Sequence, residues 1–331
     1  MQAAEMFQVG PAEDSVRLIE LTTPKGPNSK EILVKVIACP INPAEILLIE
    51  GKYAAIPTPP IQLGIEGAGI VSAIGKDIQD FKVGDKVMCL GRQNWREFVC
   101  AGATDFIALP PSIDLEQASM LKVNVATAHL MLTEYEDLSP GDWVIQNASN
   151  SGVGIDIIKM ASGMGLNVVS VARREEVFDQ LIQAGSKVVL KDDAELPSRV
   201  EQILKGEKIK LAIDAVAGKS TDRLAKCVSE GGTIVIYGLL SGEPCHIDPH
   251  HLIFRNIRIK GFWLSNFLSK MNYYEKTKMY NKLSEHLLTN TINTKIAATY
   301  PLSDISEALK HAKKDARQGK ILLKPCDKTK I

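Results

Sequence analysis

A glycine-rich turn is the first stretch of this chain whose residue types and spacing could do chemistry. Ala148-Ser149-Asn150-Ser151-Gly152-Val153-Gly154 follows an apolar run at 143–148 and precedes a helix-forming stretch to about residue 163. A strand, a tight turn and a helix N-terminus together present outward N–H groups and the positive end of the helix dipole, which suits an anion. Gly152 would let the backbone approach a pyrophosphate, and Gly154 would allow close helix–sheet packing. Asn150, Ser151 and Val153 complete the expected dinucleotide turn; the plainer alternative is an ordinary βα turn. The next strand, 167–172, ends in Arg173-Arg174, 19 and 20 residues past Gly154. An acid at that spacing would bond a ribose 2′-hydroxyl, whereas a guanidinium pair suits a 2′-phosphate. NADPH is therefore the expected cofactor, against a solvated Arg pair balanced by Glu175 and Glu176. Tyr237-Gly238 ends a later strand and would place backbone near the nicotinamide or pyrophosphate, unless it is simply a strand followed by a turn.

The elements that must position these residues follow from periodicity. From residue 142 onward, strands at 143–148, 167–172, 188–189, 211–215 and 233–237 alternate with helices to about 163, at 177–184, 197–205 and 221–229. That alternation predicts a doubly wound parallel sheet. Residues 1–110 read differently. Short β-branched runs at 32–38, 69–74 and 86–89 are separated by Gly and Pro turns, which is the pattern of a barrel-like antiparallel domain. A helical stretch at 112–136 starts at Ser112 or Asp114, and residues 291–331 give a short strand, a helix at 303–317 and a strand at 320–324. The expected division is α/β: a β-rich domain of residues 1–120 and 291–331, and a nucleotide-binding domain of residues 121–290.

Composition closes off other classes. In 331 residues, Lys+Arg and Asp+Glu number 39 each, so no net field gathers nucleic acid or an anionic membrane. No apolar run approaches the roughly 20 residues of a membrane helix, and the N-terminus has neither a basic nor an apolar leader region. Six scattered cysteines without a C-x-x-C pair read as reduced thiols of a cytoplasmic protein. Cys245, His246, Asp248, His250 and His251 cluster between Pro244 and Pro249, on a loop rather than a ligating helix face, so no native metal is expected there.

With this layout the chain resembles the medium-chain dehydrogenase/reductase superfamily, in which a GroES-like catalytic domain precedes a Rossmann domain and the C-terminus returns to the first. Zinc-dependent members carry a Cys and a G-H-E His at positions filled here by Asn42 and by Ile65 of Gly64-Ile65-Glu66-Gly67, and the four-Cys lobe is absent. The chain is similar to the zinc-free branch. Ile41-Asn42-Pro43-Ala44-Glu45, Gly51-Lys52-Tyr53, Lys122-Val123-Asn124-Val125-Ala126-Thr127-Ala128, Gln146-Asn147-Ala148-Ser149-Asn150-Ser151-Gly152-Val153-Gly154 and Gly261-Phe262-Trp263-Leu264-Ser265 resemble the 2-enoyl thioester reductases.

The resemblance implies NADPH-dependent reduction of an activated C=C bond, with hydride to the β-carbon and a proton to the α-carbon of an enoyl thioester. NADPH:quinone reduction is the alternative, and a non-catalytic crystallin-like NADPH binder a third reading. It implies that Tyr53 polarises the substrate or delivers the proton, a role suited to a phenol that is neutral near pH 7. Asn42 would hold that loop or the nicotinamide ribose, unless it is a turn residue before Pro43. Trp263 would wall the acyl pocket, unless it is core; Trp95, in a G-x-x-x-W-R-like stretch, is a pocket or a fold residue. Read from their spacing alone, Lys310, Lys313, Lys314 and Arg317 are a solvated helix face, or a docking face for a phosphopantetheine-bearing acyl carrier protein or for CoA phosphates. A homodimer through Rossmann sheet edges is the family expectation.

Overall fold

The computed structural model describes residues 1–314 and 318–326. Two compact units divide the chain: Met1–Val123 with Met271–Ile331, and Asn124–Lys270. The expected second boundary at 290/291 moves to 270/271 because of a helix, Tyr273–Leu288, that the sequence reading missed. Its Tyr273 hydroxyl donates to Phe106 O (2.9 Å) and its Tyr280 hydroxyl to Lys122 O (3.1 Å), which ties it to the first unit.

The first unit opens with β1 (Gln2–Met6) and β2 (Val16–Glu20), neither anticipated, then β3 (Glu31–Pro40), β4 (Ile61–Gln62), β5 (Ala68–Ile74), β6 (Lys86–Cys89), β7 (Phe98–Gly102) and β8 (Phe106–Ala108). The long β3 alternates partly buried and buried residues along 31–38, so one face carries Ile32, Val34, Val36 and Ala38 into the interior. Ile32 and Val34 join Val71, Val87 and Phe106 in one apolar cluster; Val36 joins Ile49, Trp95, Leu309 and Leu323 in another. Between β3 and β4 lies the helix Pro43–Ile49, with Asn42 at its N-cap and Pro43 as its first residue, where a missing N–H costs nothing.

The second unit holds β9 (Trp143–Gln146), β10 (Asn167–Ala172), β11 (Val188–Lys191), β12 (Ile209–Asp214), β13 (Thr233–Ile236) and β14 (Arg258–Gly261). They form one sheet in the order β11-β10-β9-β12-β13-β14, with every pair parallel. Val144, Ile145, Val169, Val171 and Ala212 are fully buried, as strands covered on both faces require. The expected parallel sheet is borne out, with β10 at its expected limits. The order reverses between β9 and β12, so the C-terminal ends of those strands flank the crevice where such sheets take ligands.

The chain then returns to the first unit as β15 (Ile296–Pro301), the helix Ile305–Lys313 and β16 (Lys320–Lys324). β16 pairs with β15 and antiparallel with β3, extending the seven-stranded sheet. The helix expected over 303–317 is shorter, and Arg317 lies outside the described residues. The single helix expected over 112–136 is broken. Asp114 caps Leu115–Ala118 by accepting from Glu116 N and Gln117 N, and a further helix spans Ala126–Thr133.

Candidate active site

In the second unit, the turn between β9 and the helix Gly152–Gly163 is built from the sequence outward. Ala148 takes φ +45°, and Ser151 caps the helix by accepting from Gly154 N (3.1 Å). A Cβ on Gly154 would lie 2.5 Å from Ser149 O, so only glycine fits there. A Cβ on Gly152 would lie 2.9 Å from Asn124 Nδ2. That Asn124 nitrogen is buried with no hydrogen-bond partner among the described residues, a donor at the turn. Asn150 is exposed, while Ser151 and Val153 are half-buried. The Tyr237 hydroxyl hydrogen-bonds to Ser151; burial pushes this phenol up, and the Ser151 bond opposes that. Tyr237 N donates to Asp214 O (2.9 Å), fixing the end of β13, with Gly238 next, against the end of β12.

Beneath the turn is a polar network that the sequence reading did not identify. Asn147 Nδ2 donates to Asp214 Oδ1 (2.6 Å) and Ser220 Oγ (3.0 Å), and Ala215 N donates to Asn147 Oδ1 (2.7 Å). Asp214 also accepts from Val216 N, Ala217 N and the Thr221 hydroxyl. Gln146 Nε2 donates to Gly154 O (2.9 Å), and Ser149 Oγ bridges to Val171. These bonds pair the backbone groups freed at the strand ends and so hold the turn open to a ligand. Nothing in spacing announces it, since its members come from the ends of β9, β10 and β12, the turn, and the start of the helix Lys219–Cys227.

Arg173 and Arg174 are exposed just past β10. Glu175, the expected balancing acid, pairs with Lys191 (3.2 Å), and among the described residues neither arginine is in an ion pair. With the cap, the two glycines, the Asn124 donor and two uncommitted guanidiniums, the residues present fit a phosphorylated dinucleotide.

In the first unit, Asn42 stands in a fully interior cluster. Its Nδ2 donates to Glu66 Oε1 (2.9 Å), Lys320 Nζ donates to its Oδ1, and its backbone N–H donates to Glu45 Oε2 (2.7 Å). Glu45 Oε1 accepts from Ile65 N (2.9 Å), Glu66 Oε2 from Val123 N (2.8 Å), and Lys122 Nζ donates to Ile65 O and Gly91 O. Burial raises the Glu45 carboxyl to about 7 against the two backbone N–H bonds, and raises Glu66 against Lys320. Burial lowers the Lys122 ammonium to about 8, opposed by Glu66. Asn42, expected to hold the Tyr53 loop or a nicotinamide ribose, is placed at 2% exposure with its amide linking Lys320 to Glu66 inside the fold.

Tyr53 lies three residues beyond Glu50, the C-cap of the helix Pro43–Ile49, half-buried on the cluster that contains Leu48, Ile49 and Trp95. Trp95, expected as a pocket or a fold residue, is placed at 0% exposure in the apolar core with Nε1 donating to Pro40 O (3.4 Å). Trp263 is 46% exposed, beside Phe262, which stacks on Phe267 (5.1 Å between rings). Lys310 is paired with Glu307, and Lys313 with Glu13 and Glu50, so these two do not form an open basic stripe.

The donor set does not suit zinc. An amide already bound to a lysine and the apolar Ile65 occupy the would-be ligand positions. Among the described residues, no group of three or more His, Cys, Asp or Glu side chains is placed to hold a metal. The 245–251 stretch ends in a short helix, Pro249–Ile253, rather than loop alone, and His251 is used internally. Among the described residues, no helix is long and apolar enough to cross a membrane.

A β-rich GroES-like unit and a six-stranded parallel sheet with this turn define a medium-chain dehydrogenase/reductase. The family model described as alcohol dehydrogenase GroES-like domain matches residues 28–111, and that described as zinc-binding dehydrogenase matches 152–282. The mitochondrial enoyl-[acyl-carrier-protein] reductase of Rattus norvegicus is 34% identical over 303 residues, covering 89% of this chain and 80% of the relative. The chain belongs to the enoyl-[acyl-carrier-protein] reductase family of this superfamily. Among solved structures, the mitochondrial 2-enoyl thioester reductase heterodimer from Candida tropicalis is 26% identical, with TM-score 0.88 over 98% of this chain and 99% of that one. The Escherichia coli quinone oxidoreductase complexed with NADPH is 24% identical, with TM-score 0.88 over 98% and 100%, a likeness of fold.

Proposed function

We propose that this chain reduces the C=C bond of a trans-2-enoyl thioester with NADPH. The observation that carries the reading is its 34% identity, over 89% of its length, to a reductase named for enoyl-acyl carrier substrates. When bound, NADPH supplies the hydride. The turn Ser151–Gly154 and the Asn124 amide receive its pyrophosphate, and Arg173 and Arg174 take its 2′-phosphate. The developing enolate oxygen needs a donor. With Asn42 and Ile65 at the would-be ligand positions that donor is an O–H rather than a metal, and Tyr53 supplies it. Tyr53 or water then protonates the α-carbon, and Trp263 covers the acyl chain.

The fold likeness to a quinone oxidoreductase keeps quinone reduction as the second reading. NADPH oxidation measured with crotonyl-CoA, a long enoyl-CoA, the same acyl group on an acyl carrier protein, and a benzoquinone tests the proposal. Turnover of the thioesters supports it. Quinone turnover alone moves the assignment to the second reading, and NADPH binding without any turnover moves it to the crystallin-like one. The cytoplasm, expected from the reduced thiols, stands beside the mitochondrial names of the relatives; immunoblotting of fractionated cells decides between them.

A further inference from the structure

We propose that the C-terminal segment positions Tyr53 by gripping both ends of the helix Pro43–Ile49, Lys320 through Asn42 at its start and Lys313 through Glu50 at its end. This rests on the reading of Tyr53 as the donor to the thioester. Seven residues make a helix too short to hold its own shape, so its ends must be fixed from outside. At the N-terminus, Lys320 Nζ donates to Asn42 Oδ1, Asn42 Nδ2 donates to Glu66 Oε1, and Glu45 in the first turn accepts from Asn42 N and Ile65 N. Lys320 begins β16, which pairs with β15 along its length and reaches β3 at Cys39 and Pro40, so the ammonium is set on a sheet. At the C-terminus, Glu50 Oε1 pairs with Lys313 Nζ (2.8 Å) and Glu50 Oε2 with Lys52 Nζ (2.9 Å), while Lys313 also reaches Glu13 (2.9 Å). Backbone bonds carry this forward: Gly51 N donates to Leu48 O and Lys52 N to Leu47 O (2.8 Å), leaving Tyr53 as the next residue. No other element supplies a side-chain ammonium to both ends of this helix among the contacts described.

Lys320 and Lys313 are thus positioning residues, and their removal should cost turnover through Tyr53. The test compares Tyr53→Phe, Lys320→Met, Lys313→Met and the two doubles with Tyr53→Phe in the full chain. It follows kcat and KM for crotonyl-CoA, NADPH binding by fluorescence and thermal unfolding. Lys320→Met should lower kcat about 10- to 100-fold and Lys313→Met about 3-fold, with NADPH affinity unchanged. In the Tyr53→Phe background both losses should shrink to within about twofold, because the hydroxyl they position is gone. Losses that multiply in the doubles, or wild-type kcat in both lysine variants, overturn the proposal while leaving Tyr53 in its role. A silent Tyr53→Phe overturns the underlying reading instead. Should Lys320→Met fail to fold, Lys313→Met decides alone, since a partly exposed ion pair contributes little to stability.

Discussion

At the residue scale, Tyr53 and the arginine pair make separable predictions. Tyr53→Phe keeps the ring on its apolar cluster and removes only the hydroxyl. Losing a positioned donor to an oxyanion typically costs about 10²–10³ in kcat. That fall is expected with enoyl-CoA, with NADPH binding unchanged and a smaller effect on any quinone activity, because a hydroquinone takes its protons from water. Steady-state kinetics on both substrates check it. For Arg173 and Arg174, each lost bond to a 2′-phosphate costs about 1.5–3 kcal/mol, or roughly 10- to 150-fold. Replacing both by Ala should raise KM for NADPH and leave NADH nearly untouched. Equal damage to the two cofactors would show that the arginines do not read the phosphate.

At the element scale, the short helix Pro249–Ile253 carries a titratable lock. His251 is 7% exposed; its Nδ1 accepts from Arg255 Nη1 (2.8 Å), and its Nε2 lies 3.8 Å from Asp222 Oδ1. Burial and then Arg255 hold its pKa below the usual 6.5, against Asp222. Below 6.5 the unfolded chain therefore takes a proton that the folded imidazole refuses. The stability contributed by neutral His251 is present above that pH and lost as pH falls through the folded value. His251→Gln keeps an acceptor for Arg255 but cannot titrate. The wild type should lose melting temperature faster than this variant between about pH 7 and pH 5. Parallel melting curves would refute the lock.

At the scale of the whole molecule, β14 ends the parallel sheet, and all four of its residues are exposed. Exposed Leu239 and Leu240 follow β13, and Ile253 and Phe254, the latter 69% exposed, precede β14. An unpaired edge with apolar flanks favours association, and the homodimer we propose would pair it with a second copy. Sedimentation should find a dimer. Ile259→Lys with Phe254→Glu should shift it to monomer, and an unchanged sedimentation coefficient would place the interface elsewhere.

The parallel sheet, the glycine turn between β9 and its helix, and the residues at the positions matched to zinc ligands by resemblance were all legible in the sequence. Those depend on local patterns: strand and helix periodicity, glycine at a turn, and residue type at a motif position. Asp114 as a helix start was also legible, because a cap is a contact two and three residues away. Only the tertiary structure decided where Asn42 and Trp95 point. Spacing left each open between a site role and a fold role; in the fold one is bonded to Lys320, 278 residues away, and the other lies in the core. The same holds for the network of Asn147, Asp214 and Thr221, which joins two strand ends to a helix start, and for the Asn124 donor beside Gly152, all brought together by the fold. A buried polar side chain is specified by what lies opposite it in space, and one-dimensional spacing carries no record of that.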